Sequence, residues 1–248
     1  MDALLERVLD AHGGLDAWSK VTRLHTEIEL GGPFWDWRGQ PSIRRKQTVL
    51  VDPRRTHITV TPLLGTDTTA VFDAEDDAVE IKGADGRVLH RREQPRSSFP
   101  AYTDTVRWDE AQIAYFVGMA NWNYLVEPYL FTYPGVQAHE IEPWREGGQT
   151  WRRLAVQFPA SFPNNSQRQT FYYGQDYLLR RMDYSSDIAG DALVAHYTHD
   201  PRFFDGFVFY TRREVHLRDA DGIADPSLTP ITITLHSASV ETSDTSES

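Results

Sequence analysis

Apolar residues Leu4, Leu5, Val8 and Leu9 recur at helical spacing near the start of the chain, and Gly13-Gly14 supplies the stop. A second short helical piece follows, with Ala17, Trp18 and Val21 apolar. The period then changes to two. Leu24, Ile28 and Leu30 fall on one face of a strand while His25, Glu27 and Glu29 fall on the other. The same reading predicts strands over Ile43–Val51, Thr56–Thr61, Thr68–Phe72 and Ala78–Lys82. Ala84-Asp85-Gly86 then turns the chain into Arg87–Arg91 as a hairpin. No strand–helix–strand alternation runs through this half, which argues for antiparallel pairing over a parallel α/β sheet.

The middle of the chain differs. Trp108, Tyr115, Phe116, Trp122, Tyr124, Tyr129, Phe131 and Tyr133 crowd into one short stretch together with Met119. Few turn residues interrupt it, and Ile113, Phe116, Ala120 and Tyr124 form a stripe, so the pattern predicts a helix from about Asp109 to Leu125 that ends before Pro128. Strand signals return over Val136–Ile141, Trp151–Phe158, Gln167–Tyr173, Tyr177–Tyr184, Ala192–Thr198, Phe207–His216 and Ile231–Val240. Turn signals at Gly147-Gly148, Gly174-Gln175-Asp176 and Asp219 to Gly222 separate several of them. The expected fold class is α+β: one large curved antiparallel sheet of about eleven strands in a single domain over 1–240. The small, polar, acidic stretch 241–248 reads as a disordered tail.

So many antiparallel strands cannot lie flat, because twist accumulates and curls the sheet into a barrel or half-barrel. The N-terminal helix and the aromatic helix are the available caps for its inner face. An inner face wider than its own side chains fill leaves a cavity, and the ring-laden helix would then be the lid over it. The competing reading is an amphipathic helix packed on the core. Rings all round the helix, with Asn121 and Asn123 interleaved, favour a helix covered on more than one side.

Composition narrows the function. The 248 residues are 40% apolar and 25% charged, ordinary for a globular chain. Lys and Arg number 25 against 36 Asp and Glu, a net charge of -11 that repels phosphate backbones and argues against nucleic-acid partners. The chain has no cysteine, which excludes a thiol nucleophile, a thiolate metal site and a disulfide. Asp2, Glu6, Arg7 and Asp10 interrupt any leader-like apolar run, and no window approaches the roughly 18 apolar residues of a membrane span. A cytoplasmic protein without membrane insertion is the expectation.

Candidate chemistry comes from the strands after the aromatic helix. Gln167, Gln169, Phe171 and Tyr173 share one face, with Arg168, Thr170 and Tyr172 opposite; Leu178, Arg180, Met182 and Tyr184 share another, with Leu179, Arg181 and Asp183 opposite. Assigning Phe171, Met182 and Tyr184 inward makes Gln169 and Arg180 the buried polar groups that orient a ligand. The lining is then Tyr115, Phe116, Met119, Trp122, Asn123 and Tyr124 from the helix. From the strands it is Gln169, Phe171, Tyr173, Arg180, Met182 and Tyr184. His196 and His199 are three apart on a strand and point to opposite faces, so they do not chelate together; no metal and no cofactor is expected. His196 alone has the pKa range of a general base, although a hydrogen-bonded core histidine is the commoner arrangement. The acidic run Asp73 to Asp77 lacks EF-hand spacing and reads as a solvated turn. Arg212-Arg213 and Arg152-Arg153 are expected to split between sheet faces.

The N-terminal helix, Ala11-His12-Gly13-Gly14, Trp18 and a long meander with inserted helices together resemble the LolA-like superfamily. The resemblance implies a half-barrel that holds acyl chains or other apolar ligands under helical lids. Trp122 to Pro128, Gln169 to Tyr172, Leu178 to Tyr184, His196-Tyr197 and Phe204-Asp205-Gly206 are further similar to an uncharacterised bacterial family related to that fold. Many of its members carry histidine where this chain has Asn165 and Met182, so the resemblance does not extend to chemistry that needs those imidazoles. Three functions stay in view. The first is binding of an apolar or aromatic small molecule in the cavity of the curved sheet. The second is a cofactor-independent biosynthetic enzyme in the same cavity (an isomerase, cyclase or hydrolase) with His196, Asp183 or Tyr184 as acid or base. The third is an interaction module whose aromatics simply fill the core.

Overall fold

The computed structural model describes residues 1–103 and 105–243. Helix α1 (Ala3–Ala11) is capped by Asp2, whose carboxylate accepts from the Leu4 and Leu5 amides, and it buries Leu4, Leu5, Val8 and Leu9. After the short α2 (Leu15–Trp18) the chain lays down six strands in succession: β1 (Val21–Gly31), β2 (Lys46–Asp52), β3 (His57–Thr61), β4 (Thr69–Asp73), β5 (Ala78–Lys82) and β6 (Val88–Glu93). A short helix α3 (Phe34–Trp37), which the periodicity did not anticipate, sits between β1 and β2 and buries Phe34 and Trp35. Helix α4 (Glu110–Val126) follows, and then seven strands: β7 (Gln137–Glu146), β8 (Gln149–Gln157), β9 (Arg168–Tyr173), β10 (Leu179–Ser186), β11 (Ala192–Phe204), β12 (Phe207–Leu217) and β13 (Ile231–Thr242).

Among the described residues, thirteen strands form one antiparallel sheet, against about eleven expected, in the order β6-β5-β4-β3-β2-β1-β13-β12-β11-β10-β9-β8-β7. The first and last strands pair at its middle, so the chain runs outward to one edge, crosses by α4 and returns from the other edge. The sheet is not closed. Glu241 and Thr242, expected in a tail, pair with Arg23 and Val21 as part of β13; residues 244–248 lie outside the described residues. β11 runs past the expected end at Thr198 and stays in register with β12 to Phe204, with Asp200 at a φ of +52° on the way.

Helix α4 starts with a capping box: the Asp109 carboxylate accepts from the Gln112 amide at 2.9 Å, and Gln112 Oε1 accepts from the Asp109 amide at 2.8 Å. It lies against β3, β4 and β5, while α1 covers β7 and β8. Gly118 sets how closely α4 approaches the sheet, since a Cβ there would stand 2.8 Å from Phe72 Cβ and 3.3 Å from Ile58 Cγ2. Nearly every residue of the helix is buried, Phe116 being only partly so. The rings spread around it are therefore its packing partners on all sides. Phe34, Trp35 and Trp108 pack around Phe116 with centroids 5.2–6.2 Å away, and Phe72 and Phe99 pack around Tyr115 at 5.3 and 5.9 Å.

Candidate functional site

The expectation of a large void beneath α4 is corrected by this packing. The space enclosed between the helix and the sheet beside Trp35, Phe116, Tyr124 and Tyr184 is about 20 Å³, roughly one water. Open volume lies instead at the mouth of the half-barrel. A groove of about 780 Å³ runs between the β4–β5 turn and the β8–β9 loop, with Phe72, Ala74, Tyr115, Phe162 and Pro163 as its apolar lining. Arg96, Asn164, Asn165, Arg168, Asp77 and Asp187 supply polar groups.

Direct bonds fix the groove's geometry and draw the two halves of the sheet together. Arg96, just beyond β6, donates from Nη2 to both Asp187 oxygens at 2.7 Å, and from Nη1 to Tyr115 Oη at 3.0 Å and the Asn164 carbonyl at 2.9 Å. Asn123 of α4 donates to the Pro163 carbonyl at 2.8 Å and ties the helix to the β8–β9 loop. Burial pushes the Tyr115 hydroxyl above its ordinary pKa, against the Arg96 charge, so it stays a neutral phenol. Asn164 is buried in the groove wall and its Nδ2 has no hydrogen-bond partner.

Asn165 leads inward from the groove. Its Nδ2 donates to Tyr124 Oη at 3.3 Å, and Tyr124 Oη lies 3.2 Å from Tyr184 Oη. The Tyr124 and His196 rings meet in a T-shaped arrangement with centroids 4.7 Å apart. Arg213 donates from Nη2 to the Tyr124 carbonyl at 3.0 Å, and its guanidinium lies over the Tyr124 and Tyr210 rings. Glu127 accepts from Tyr173 Oη at 3.0 Å. This interior is buried yet polar: among the described residues, Glu127 Oε2, Arg213 Nη1 and both His196 ring nitrogens have no hydrogen-bond partner. Burial raises the Glu127 pKa to about 7, with Arg213 and the Tyr173 hydroxyl pulling the other way. Burial also holds His196 well below its ordinary pKa, helped by the charge of Arg213, so the imidazole is neutral at physiological pH.

Several expected site residues stand elsewhere. Arg180 occupies a bulge of β10, where the register shifts between Leu179 and Arg181. The extra residue turns Arg180 out of the interior, and it pairs with Asp176 at 2.5 Å. Leu179 takes its place opposite Tyr173, a swap that strict alternation could not anticipate. Asp183 is on the convex face, bound by Arg181 Nε and Nη2 at 2.6 and 2.8 Å and by Tyr172 Oη at 2.8 Å. Met182 pairs with His196 in register while Asp183 pairs with Ala195, so Asp183 and His196 face opposite sides and cannot act as a couple. Tyr184 and His196 do share the interior, with centroids 6.4 Å apart.

Met119, Phe171 and Met182 are core side chains, Phe171 lying against Phe131 at 4.5 Å. Trp122 is fully buried and donates from Nε1 to the Asp52 and Arg55 carbonyls at 2.9 and 3.2 Å. Gln169 is buried and donates to the Ser166 carbonyl at 3.0 Å, and Tyr173 is spent on Glu127. Of the helix residues expected in the lining, Tyr115 reaches the groove. Sequence reasoning missed Arg96, Phe162, Asn164, Asn165, Glu127 and Arg213. The signal for three of these was present in the long Pro159 to Gln167 connection, since structured loops of that length between strands often carry function. The expected split of Arg212 and Arg213 is observed, with Arg213 buried and Arg212 exposed.

Among the described residues no group of three or more His, Asp or Glu is placed to hold a metal ion, and no helix is long and apolar enough to cross a membrane. No family model matches the chain, and no curated protein matches it. Solved structures do. A DUF1329 family protein from Desulfovibrio piger superposes with a TM-score of 0.53 at 12% identity, covering 97% of this chain and 94% of that one. A LolA superfamily protein from Nitrosomonas europaea superposes with a TM-score of 0.51 at 8% identity, covering 96% of this chain and 92% of that one. At such identities a likeness speaks for architecture alone, and on that evidence the chain has the LolA-like half-barrel fold.

Proposed function

We propose that this protein binds a small molecule with an apolar or aromatic body and a polar end in the groove at the mouth of its half-barrel. The observation that carries the reading is the groove itself: about 780 Å³, within the range of small-molecule sites, with rings along one stretch and Arg96, Asn164 and Asn165 along another. The LolA-like fold supports an apolar ligand. Covering about 200 Å² of ligand surface with Phe72, Tyr115, Phe162 and Pro163 is worth about 5 kcal/mol before the cost of association. The Asn164 amide and the Arg96 guanidinium would set the ligand's orientation. Catalysis by His196 is the weaker reading, because among the described residues its ring nitrogens have no hydrogen-bond partner and it does not line the groove.

Tryptophan fluorescence tests the proposal. The Trp122 ring lies 6.1 Å from Phe162, so a ligand seated against Phe162 changes the environment of a reporter already in place. Titration with oleate and with an anilinonaphthalene sulfonate should give a saturable response. Ser161→Trp, which fills the groove from its exposed rim, and Phe162→Ala should each weaken it at least tenfold while keeping the fold. Unchanged affinity in both variants, or no saturable response to either probe, would refute groove binding.

A further inference from the structure

The convex face of a half-barrel is ordinarily a plain solvated surface, yet here it holds a second hollow of about 550 Å³. Its floor is laid by the short side chains of Ala155 on β8, Thr170 paired with it on β9, and Ser185 on β10, with Leu193 of β11 closing the far side. Its roof is the turn at 220–222, held down by Arg181 Nη2 donating to the Gly222 carbonyl at 2.6 Å. Gly222 has φ +87°, and a Cβ there would come within 3.2 Å of the Trp144 ring, so the roof closes only over glycine.

Charge within the hollow runs against that of the chain. Beneath it, Arg181 and Arg218 are matched by Asp183 and Glu146: Arg181 Nη1 meets Glu146 at 2.7 Å, and Arg218 Nε meets Asp183 at 3.2 Å. That set sums to zero. Arg153 and Arg168 on the rim exceed it by two positive charges, and Asp221 in the roof turn offsets one of them. Each arginine spends Nε on a neutral acceptor, the Glu142 carbonyl and Gln157 Oε1, and neither ion-pairs with a carboxylate among the described residues. Arg153 is further held over the rings of Trp144 and Tyr172 at 5.7 and 5.8 Å, which fixes its guanidinium plane in advance of any ligand. In a chain of net charge -11, a hollow that keeps a surplus positive charge is a local arrangement for a negative group.

We infer that this convex hollow binds a small oxyanion, a phosphate or a carboxylate, held by Arg153 beneath the 220–222 turn, with Arg168 at the far rim adding to the positive field. The geometry suits such a group because guanidinium forks engage both oxyanions bidentately. The site is separate from the mouth groove in ligand class, although Arg168 stands on the rim that the two share.

Calorimetric titration with phenyl phosphate and with benzoate, at constant ionic strength, tests this. Saturable binding of one molecule per chain is expected, and the probe that binds more tightly identifies the oxyanion. Arg153→Gln should weaken it at least tenfold, Ala155→Phe should abolish it by filling the floor, and Ser161→Trp at the mouth should leave it unchanged. The inference is overturned if neither probe binds saturably. It is equally overturned if Arg153→Gln and Ala155→Phe bind like the parent, or if Ser161→Trp alone removes binding, which would place the anion at the mouth.

Discussion

Replacing Glu127 by glutamine asks which of two opposed effects governs the interior beneath α4. The carboxyl is buried with Oε2 unpaired, and burial raises its pKa from 4.5 to about 7 despite the nearby Arg213. A carboxyl raised in the folded state contributes stability that is complete below the unfolded pKa and is lost as pH climbs through the folded one. At 1.36 kcal/mol per pH unit, the interval from 4.5 to about 7 corresponds to about 3 kcal/mol. Glutamine keeps an oxygen to accept from Tyr173 and carries no charge at any pH. Guanidinium unfolding of both proteins at pH 5 and pH 8.5 should therefore show Glu127→Gln gaining about 2–3 kcal/mol relative to the parent on going from the lower to the higher pH. Titration of other groups cancels in that comparison. If Glu127 is instead held chiefly by attraction to Arg213, the variant loses ground at pH 8.5, because it strands a buried cation. That sign, or a difference that does not change with pH, would refute the reasoning.

Three further outcomes follow from the packing. His12 bonds through Nδ1 to the Val8 carbonyl and through Nε2 to Tyr210, and burial depresses its pKa to about 4. Its contribution is therefore present above pH 6.5 and lost as pH falls through about 4, so chemical unfolding of His12→Gln should show an acid limb flatter by about 3 kcal/mol than the parent's. Gly118→Ala, which in a free helix gains up to about 1 kcal/mol, should here cost about 1–3 kcal/mol by equilibrium denaturation, because its methyl meets Phe72 Cβ at 2.8 Å. Trp122→Ala should cost about 3–5 kcal/mol in the same assay, the value for a core ring and not for a dispensable lid residue.

Each element whose residues alternate or repeat locally was legible before any fold was known. The β1 residues Leu24, Ile28 and Leu30 are buried as their period requires, and α4 begins and ends where Asp109 and Pro128 place it. Crossing from edge to edge, the long meander with one aromatic helix made a curled open sheet the natural outcome, because twist adds up over successive strands. The groove was not legible in the same way. It arises where Arg96, after β6, meets Asp187, after β10, and those residues are 91 positions apart. Tyr115 was read correctly as a helix ring, but only tertiary contact makes it a groove wall while Trp122, seven residues on, becomes core.

What the amino-acid order determined by itself was every feature set by neighbours in the chain: the helix caps, the strand periods and a ring-rich helix that must be covered on all sides. What only the tertiary structure decided was where volume is left over. Packing a ring into a space depends on how closely two distant elements approach, and here Gly118 lets α4 sink onto β4 until the interior is filled. One bulge did the same to a polar group, turning Arg180 out and Leu179 in, since a single extra residue reassigns which side chains before it face inward.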